Sequence, residues 1–153
     1  MTRALLVLLF LLGLPVLPAA AQTALINGLN DLSSSWNGTA TQIQLEDQHC
    51  IAVSNGGEYQ VTITGSGASS AFTLANGVKT LAYTVEFKDN TVAYRTVTTN
   101  VPLTGLITGD VTPNACSGTS ARAFVRVTFT EANLAAATAG TYTGTLTIRV
   151  TPI

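Results

Sequence analysis

The chain has 153 residues, 46% of them hydrophobic and only 10% charged, with 7 Lys+Arg against 8 Asp+Glu. That length suits one ordinary domain. The near balance of charge, with Lys79, Lys88, Arg95, Arg122, Arg126 and Arg149 scattered along the sequence, supplies no basic stripe and makes nucleic acid and anionic membranes poor partners.

The N-terminus carries Arg3, an apolar run from Ala4 to Leu14, a break at Pro15 and Pro18, and Ala19-Ala20-Ala21 before Gln22. This order of charged, apolar and small residues predicts a secretory signal peptide over residues 1–21. A membrane anchor is the competing reading. The apolar run falls short of the ~20 residues that a spanning helix needs, and no basic patch follows it. Cleavage after Ala21 would leave 132 of the 153 residues as one β-domain, 22–153, with no membrane span and with 6 basic against 8 acidic side chains.

Leu25, Ile26, Leu29, Leu32 and Trp36 come first in the mature chain, followed by an apolar alternation through Ile43, Leu45 and Ile51. Trp36 is expected to anchor the core rather than stack on a sugar. Asn37-Gly38-Thr39 matches a glycosylation sequon. Glu46 and Asp47 are neighbours on a strand, so their side chains diverge, and charged residues are expected on a solvated face.

Tyr59, Val61 and Ile63 alternate with polar residues until Gly65–Ser70 interrupts, and Phe72 and Leu74 lead to a turn at Asn76-Gly77. Leu81, Tyr83, Val85 and Phe87 share one phase, and Lys88-Asp89-Asn90 turns the chain into Val92–Val97 as a hairpin. A short strand is expected around Leu103–Ile107 within a Thr-, Gly- and Pro-rich stretch. Ala123, Val125, Val127 and Phe129 mark another strand, and Glu131–Ala137 has the composition of a single helical turn. The last strand places Tyr142, Leu146, Ile148 and Val150 on one side and Thr143, Thr145, Thr147, Arg149 and Thr151 on the other. Evenly spaced short strands with intervening turn signals predict an all-β sandwich.

Cys50 and Cys116, an even count in an exported chain, are expected to form one disulfide. A thiol nucleophile would need a nearby base, and His49 beside Cys50 points to the opposite face of the strand. Two cysteines and the single histidine fall short of a closed zinc site. Asp31, Asp89 and Asp110 lie in turn-like contexts without metal-loop spacing, and Ser33-Ser34-Ser35 and Ser117 have no histidine at a recognisable offset. No catalytic residue, cofactor or metal is therefore expected.

Several segments carry a family resemblance: Cys50 opening a strand, Gly56-Gly57-Glu58-Tyr59-Gln60-Val61-Thr62-Ile63, Ala71–Gly77, Leu81–Phe87, and the closing Ala139-Gly140-Thr141-Tyr142-Thr143-Gly144-Thr145-Leu146-Thr147-Ile148. Together they resemble the spore coat protein U domain, a family that includes pilin subunits of archaic chaperone-usher pili. The likeness runs from about Trp36 to Pro152. It implies an immunoglobulin-like sandwich lacking its final strand, completed first by a periplasmic chaperone and then by a neighbouring pilin subunit, with export through an outer-membrane usher to a surface fibre. On that reading Leu29, Leu32, Tyr142, Leu146, Ile148 and Val150 line the donor-strand groove. Only Gln22–Gly28 precedes Leu29-Asn30-Asp31-Leu32, little for a donor extension, which points to a minor or tip-proximal subunit; if residues 24–36 instead stay unpaired before assembly they would serve as a short donor, and a rod subunit follows. The alternative is a stand-alone secreted β-sandwich that binds or adheres through its loops; an enzyme is not expected.

Overall fold

The computed structural model describes residues 22–54, 57–90, 93–108, 116 and 122–153. The expected signal peptide, Asp110 and Ser117 lie outside these residues. The fold is all-β and sandwich-like, as the alternations predict. One sheet comprises β1 (Ala24–Asn27), β2 (Gln42–Val53), β9 (Arg122–Thr130), β6 (Thr84–Lys88) and β7 (Arg95–Thr96), in that spatial order. The second has β10 (Leu146–Pro152), β3 (Glu58–Gly65) and β8 (Leu103–Ile107). A hairpin of β4 (Thr73–Asn76) and β5 (Lys79–Ala82) stands apart from both, and α1 (Glu131–Ala136) follows β9 directly.

Strand phase decides what meets between the sheets. Tyr59, Val61 and Ile63 of β3 face inward, as do Ala123, Val125, Val127 and Phe129 of β9 and Val85 and Phe87 of β6. All are buried, because a residue at every second position of a pleated strand points to the same face. The rings of Phe72, Tyr83 and Phe129 form a chain, with centroids 5.8 and 5.5 Å apart, that ties the β4–β5 hairpin to the main sheet. Gly77 begins the two-residue hairpin loop at φ +58°, where a twisted hairpin needs a positive φ.

The outer face of the main sheet is polar. Arg126 lies over the Tyr94 ring and 3.4 and 3.6 Å from Glu86 and Glu46, while the Tyr94 hydroxyl donates to Glu46. At the end of β9, Thr130 caps α1 by accepting from the Asn133 N–H at 3.3 Å, and Leu134 is buried under the turn.

Cys50 and Cys116 form the disulfide, with Cα atoms 5.6 Å apart across 66 residues. In the chain-entropy picture a loop of that size contributes about 4 kcal/mol. A Cys50→Ala/Cys116→Ala variant is expected to lose about that much in urea denaturation, and a loss under ~1 kcal/mol would show that the bridge only ornaments the fold.

The final strand is shorter than its alternation suggests. Tyr142 lies before β10, and Thr143 exchanges two backbone hydrogen bonds with Ala75 of β4, at 2.8 and 3.0 Å. The segment therefore leaves the β3 edge before Leu146 and crosses to the hairpin. The first strand is shorter still. It stops at Asn27 because Gly28 takes φ +85° and turns the chain off the sheet.

Candidate functional site: an open slot beside two strand edges

The stop at Gly28 leaves a gap. β1 pairs only with Cys50–Val53, so among the described residues the other eight of the twelve residues of β2 have no strand partner on their outer edge. At ~3.3 Å per residue this is a free edge of about 26 Å. The Ser54 N–H donates to the Thr23 carbonyl at 3.0 Å, which fixes the phase: even-numbered residues turn their backbone groups toward the outer edge. The N–H and C=O groups of Gln42, Gln44, Glu46 and Gln48 therefore face the gap. Their side chains point to solvent on the sheet's outer face, whereas Ile43, Leu45, Asp47 and His49 point inward.

β10 is the edge strand of the other sheet. The Ile153 N–H donates to the Glu58 carbonyl at 3.1 Å, so odd-numbered residues of β10 serve the β3 ladder. Leu146, Ile148 and Val150 turn their backbone groups away from β3 and have no strand partner there among the described residues. Gln22 donates to the Ile153 carbonyl while Thr23 meets Ser54, which brings the C-terminal ends of β2 and β10 to the same end of the gap. The two free edges thus run alongside one another in the same direction.

Between them lies a groove of about 1190 Å³. Its floor is core: Ile43 and Leu45 of β2, Val125, Val127 and Phe129 of β9, Leu81 of the hairpin, and Tyr83. Leu146, Ile148 and Tyr142 form one wall, and the connection from Leu29 to Gly38 forms the other. Among the residues expected to line a groove, Leu29, Leu32, Tyr142, Leu146 and Ile148 meet here. Val150 does not border the cavity; it packs against the core near the end closed by β1. Leu29 and Leu32 are 51% and 37% exposed and hang at the rim. Trp36 is half-buried against the core and donates its indole N–H to the Ala40 carbonyl at 3.2 Å.

The connection from Gly28 to Thr41 runs back along the free edge of β2 without pairing to it. Extending the β1 register would set Asn30 opposite Asp47, Leu32 opposite Leu45 and Ser34 opposite Ile43. The inward positions would then read Gly28, Asn30, Leu32 and Ser34. Three of these offer an apolar floor nothing to bury, and a serine set there without a partner would cost more than it gains. The chain's own segment is a poor filler for its own groove.

Asp47 and His49 correct the expectation that the charges of this strand are solvated. Asp47 is 4% and His49 2% exposed, while Glu46 faces out. The signal was the inward phase of Ile43, Leu45 and Ile51, which passes through positions 47 and 49. His49 Nδ1 lies 3.5 Å from Asp47 Oδ2, and its ring packs at a tilt against Phe87, 5.9 Å between centroids. Burial holds the His49 pKa below its ordinary value of 6.5, although Asp47 pulls the other way. The folded state therefore binds fewer protons than the unfolded one, so this contribution to stability is present above pH ~6.5 and is lost as pH falls below it. Urea midpoints are expected to drop between pH 7.5 and 5.5, and His49→Phe should flatten that slope; an unchanged slope would show that other groups govern it.

Among the described residues, no group of three or more His, Cys, Asp and Glu side chains is placed to hold a metal ion, and no helix is long and apolar enough to cross a membrane. A scan against protein-family models and a search of curated proteins both return no match.

Proposed function

We propose that the chain is an exported structural subunit that accepts a β-strand from another protein into the slot between β2 and β10. One observation carries the reading: two strand edges without a partner among the described residues flank a groove whose floor is the hydrophobic core itself. An inserted strand would supply backbone partners for Gln42–Gln48 or for Leu146–Val150 while its alternate side chains cover the floor. Exposed edges are otherwise a hazard for aggregation, so a chain carrying them needs a partner during export.

The resemblance of the closing Gly-Thr-Tyr-x-Gly-Thr-Leu-Thr run supplies the setting. It favours a periplasmic chaperone as the first strand donor, an outer-membrane usher, neighbouring subunits as later donors, and a surface fibre as the product. Ala24–Asn27 is committed to its own β2, which leaves residues 22–36 little to offer a neighbour and favours a minor or tip-proximal position.

A test is to append an alternating apolar strand after Ile153 through a flexible linker. The tethered strand is expected to raise the soluble yield and lift Tm by about 10 °C, the shift that a gain of about 3 kcal/mol gives a domain of this size. An unchanged Tm would argue for a stand-alone binding module instead.

A further inference from the structure

Asp47 is the charged side chain on the β2 side of the groove's floor. Asp47 is buried, borders the cavity, and faces inward from the same strand as Ile43 and Leu45. Its Oδ1 accepts from the Asn30 side-chain amide at 2.8 Å, and its Oδ2, 3.5 Å from His49 Nδ1, makes no hydrogen bond among the described residues. The same Asn30 amide donates to the Gly28 carbonyl at 2.9 Å. The Asn30 side chain thus reaches the residue that a continued β1 register would set opposite it, although the pairing itself ends at Asn27.

A strand entering along the free edge of β2 takes that position and displaces Asn30. If it brings an apolar side chain there, Asp47 Oδ1 loses its donor and Oδ2 keeps only His49 Nδ1 at 3.5 Å, and leaving a buried acceptor unsatisfied is the expensive way to lose a hydrogen bond. If it brings a donor, the bond to Asn30 is replaced and the second oxygen also comes within reach. From this we infer that Asp47 is the specificity-determining residue of the slot: it selects strands that carry a hydrogen-bond-donating side chain at the one inward position opposite it, with apolar residues two and four positions further on, over Leu45 and Ile43. The inference rests on the strand-accepting reading. It adds which strand is accepted, and in what register. Polar complementarity at a single buried position is an economical way to fix register where the next inward positions of the strand, Leu45 and Ile43, are apolar.

The test uses synthetic ten-residue peptides with inward Val and Ile, a fluorescent label, and Asn or Leu placed in turn at each inward position, titrated by anisotropy into the exported chain. Asn is expected to tighten binding about tenfold over Leu at one position only, and to weaken it elsewhere. Asp47→Leu should reverse the order at that position, and Asn30→Ala should tighten both peptides by removing the resident competitor. If Asp47→Leu does not fold, the wild-type ratio decides alone. Equal or tighter binding of the Leu peptide at every position overturns the proposal while leaving strand uptake intact. Failure of every peptide to bind overturns the strand-accepting reading, and the proposal falls with it.

Discussion

Replacing Ile148 by aspartate is expected to abolish strand uptake while leaving a folded chain. Ile148 is half-buried because its inward side chain borders an open groove rather than a closed core. An aspartate there can turn its charge toward the solvent that fills the slot, so the cost to the unoccupied chain is about 1 kcal/mol. Once a strand seals the groove that escape is gone, and an unpaired charge must be buried. Peptide affinity should fall by about 100-fold or more. Two neighbours supply the contrast. Ile63, fully buried on β3 and opposite Ile148 in the ladder, should not tolerate aspartate at all. Thr147, whose side chain is exposed on the other face, should tolerate it with no change in stability or uptake. Were Ile148→Asp to bind strands normally, the slot would not be where strands bind.

The second large effect is a gain. If the groove is open because Gly28 turns the chain away and Ser34 cannot cover Ile43, then Gly28→Val with Ser34→Ile should let residues 28–35 continue β1 along β2. The inward side chains would become Val, Asn30, Leu32 and Ile, with Asn30 kept on Asp47. Valine opposes the positive φ that ends the strand. The double variant is expected to melt about 10 °C higher and to refuse added peptide. A variant that melts lower and still takes up peptide would mean that the connection is excluded from the slot for some other reason than its sequence.

These two variants also mark how far the residues alone could lead. The inward phases of Tyr59–Ile63, Leu81–Phe87 and Ala123–Phe129 were legible, since alternation is a local property and burial follows from it. The Asn76-Gly77 turn and the Cys50–Cys116 bridge were legible for equally local reasons. Three features were not. Tyr142 continues the alternation of β10 but leaves its ladder, because Thr143 pairs with Ala75 on a hairpin some seventy residues earlier in sequence. Asp47 looked solvated by composition and is buried by phase, with Asn30, Gly28 and His49 arranged around it. The slot is the hardest of all, because among the described residues it is a gap between strand edges rather than an element. Its position depends on where β1 ends, and that depends on the φ angle of one glycine.

Backbone amide hydrogen exchange on residues 22–153, with and without an added strand peptide, tests the open slot most directly. Without peptide, the amides of Gln44, Glu46 and Ile148 should exchange quickly although they lie in strands, while those of Leu45 and Val127, within the β2–β9 ladder, should be protected. With peptide, protection should appear along at least one free edge, at Gln44 and Glu46 or at Ile148 and Val150. Strong protection of both edges before any peptide is added, unchanged after it, would contradict the account, because it would mean that the sandwich is already closed.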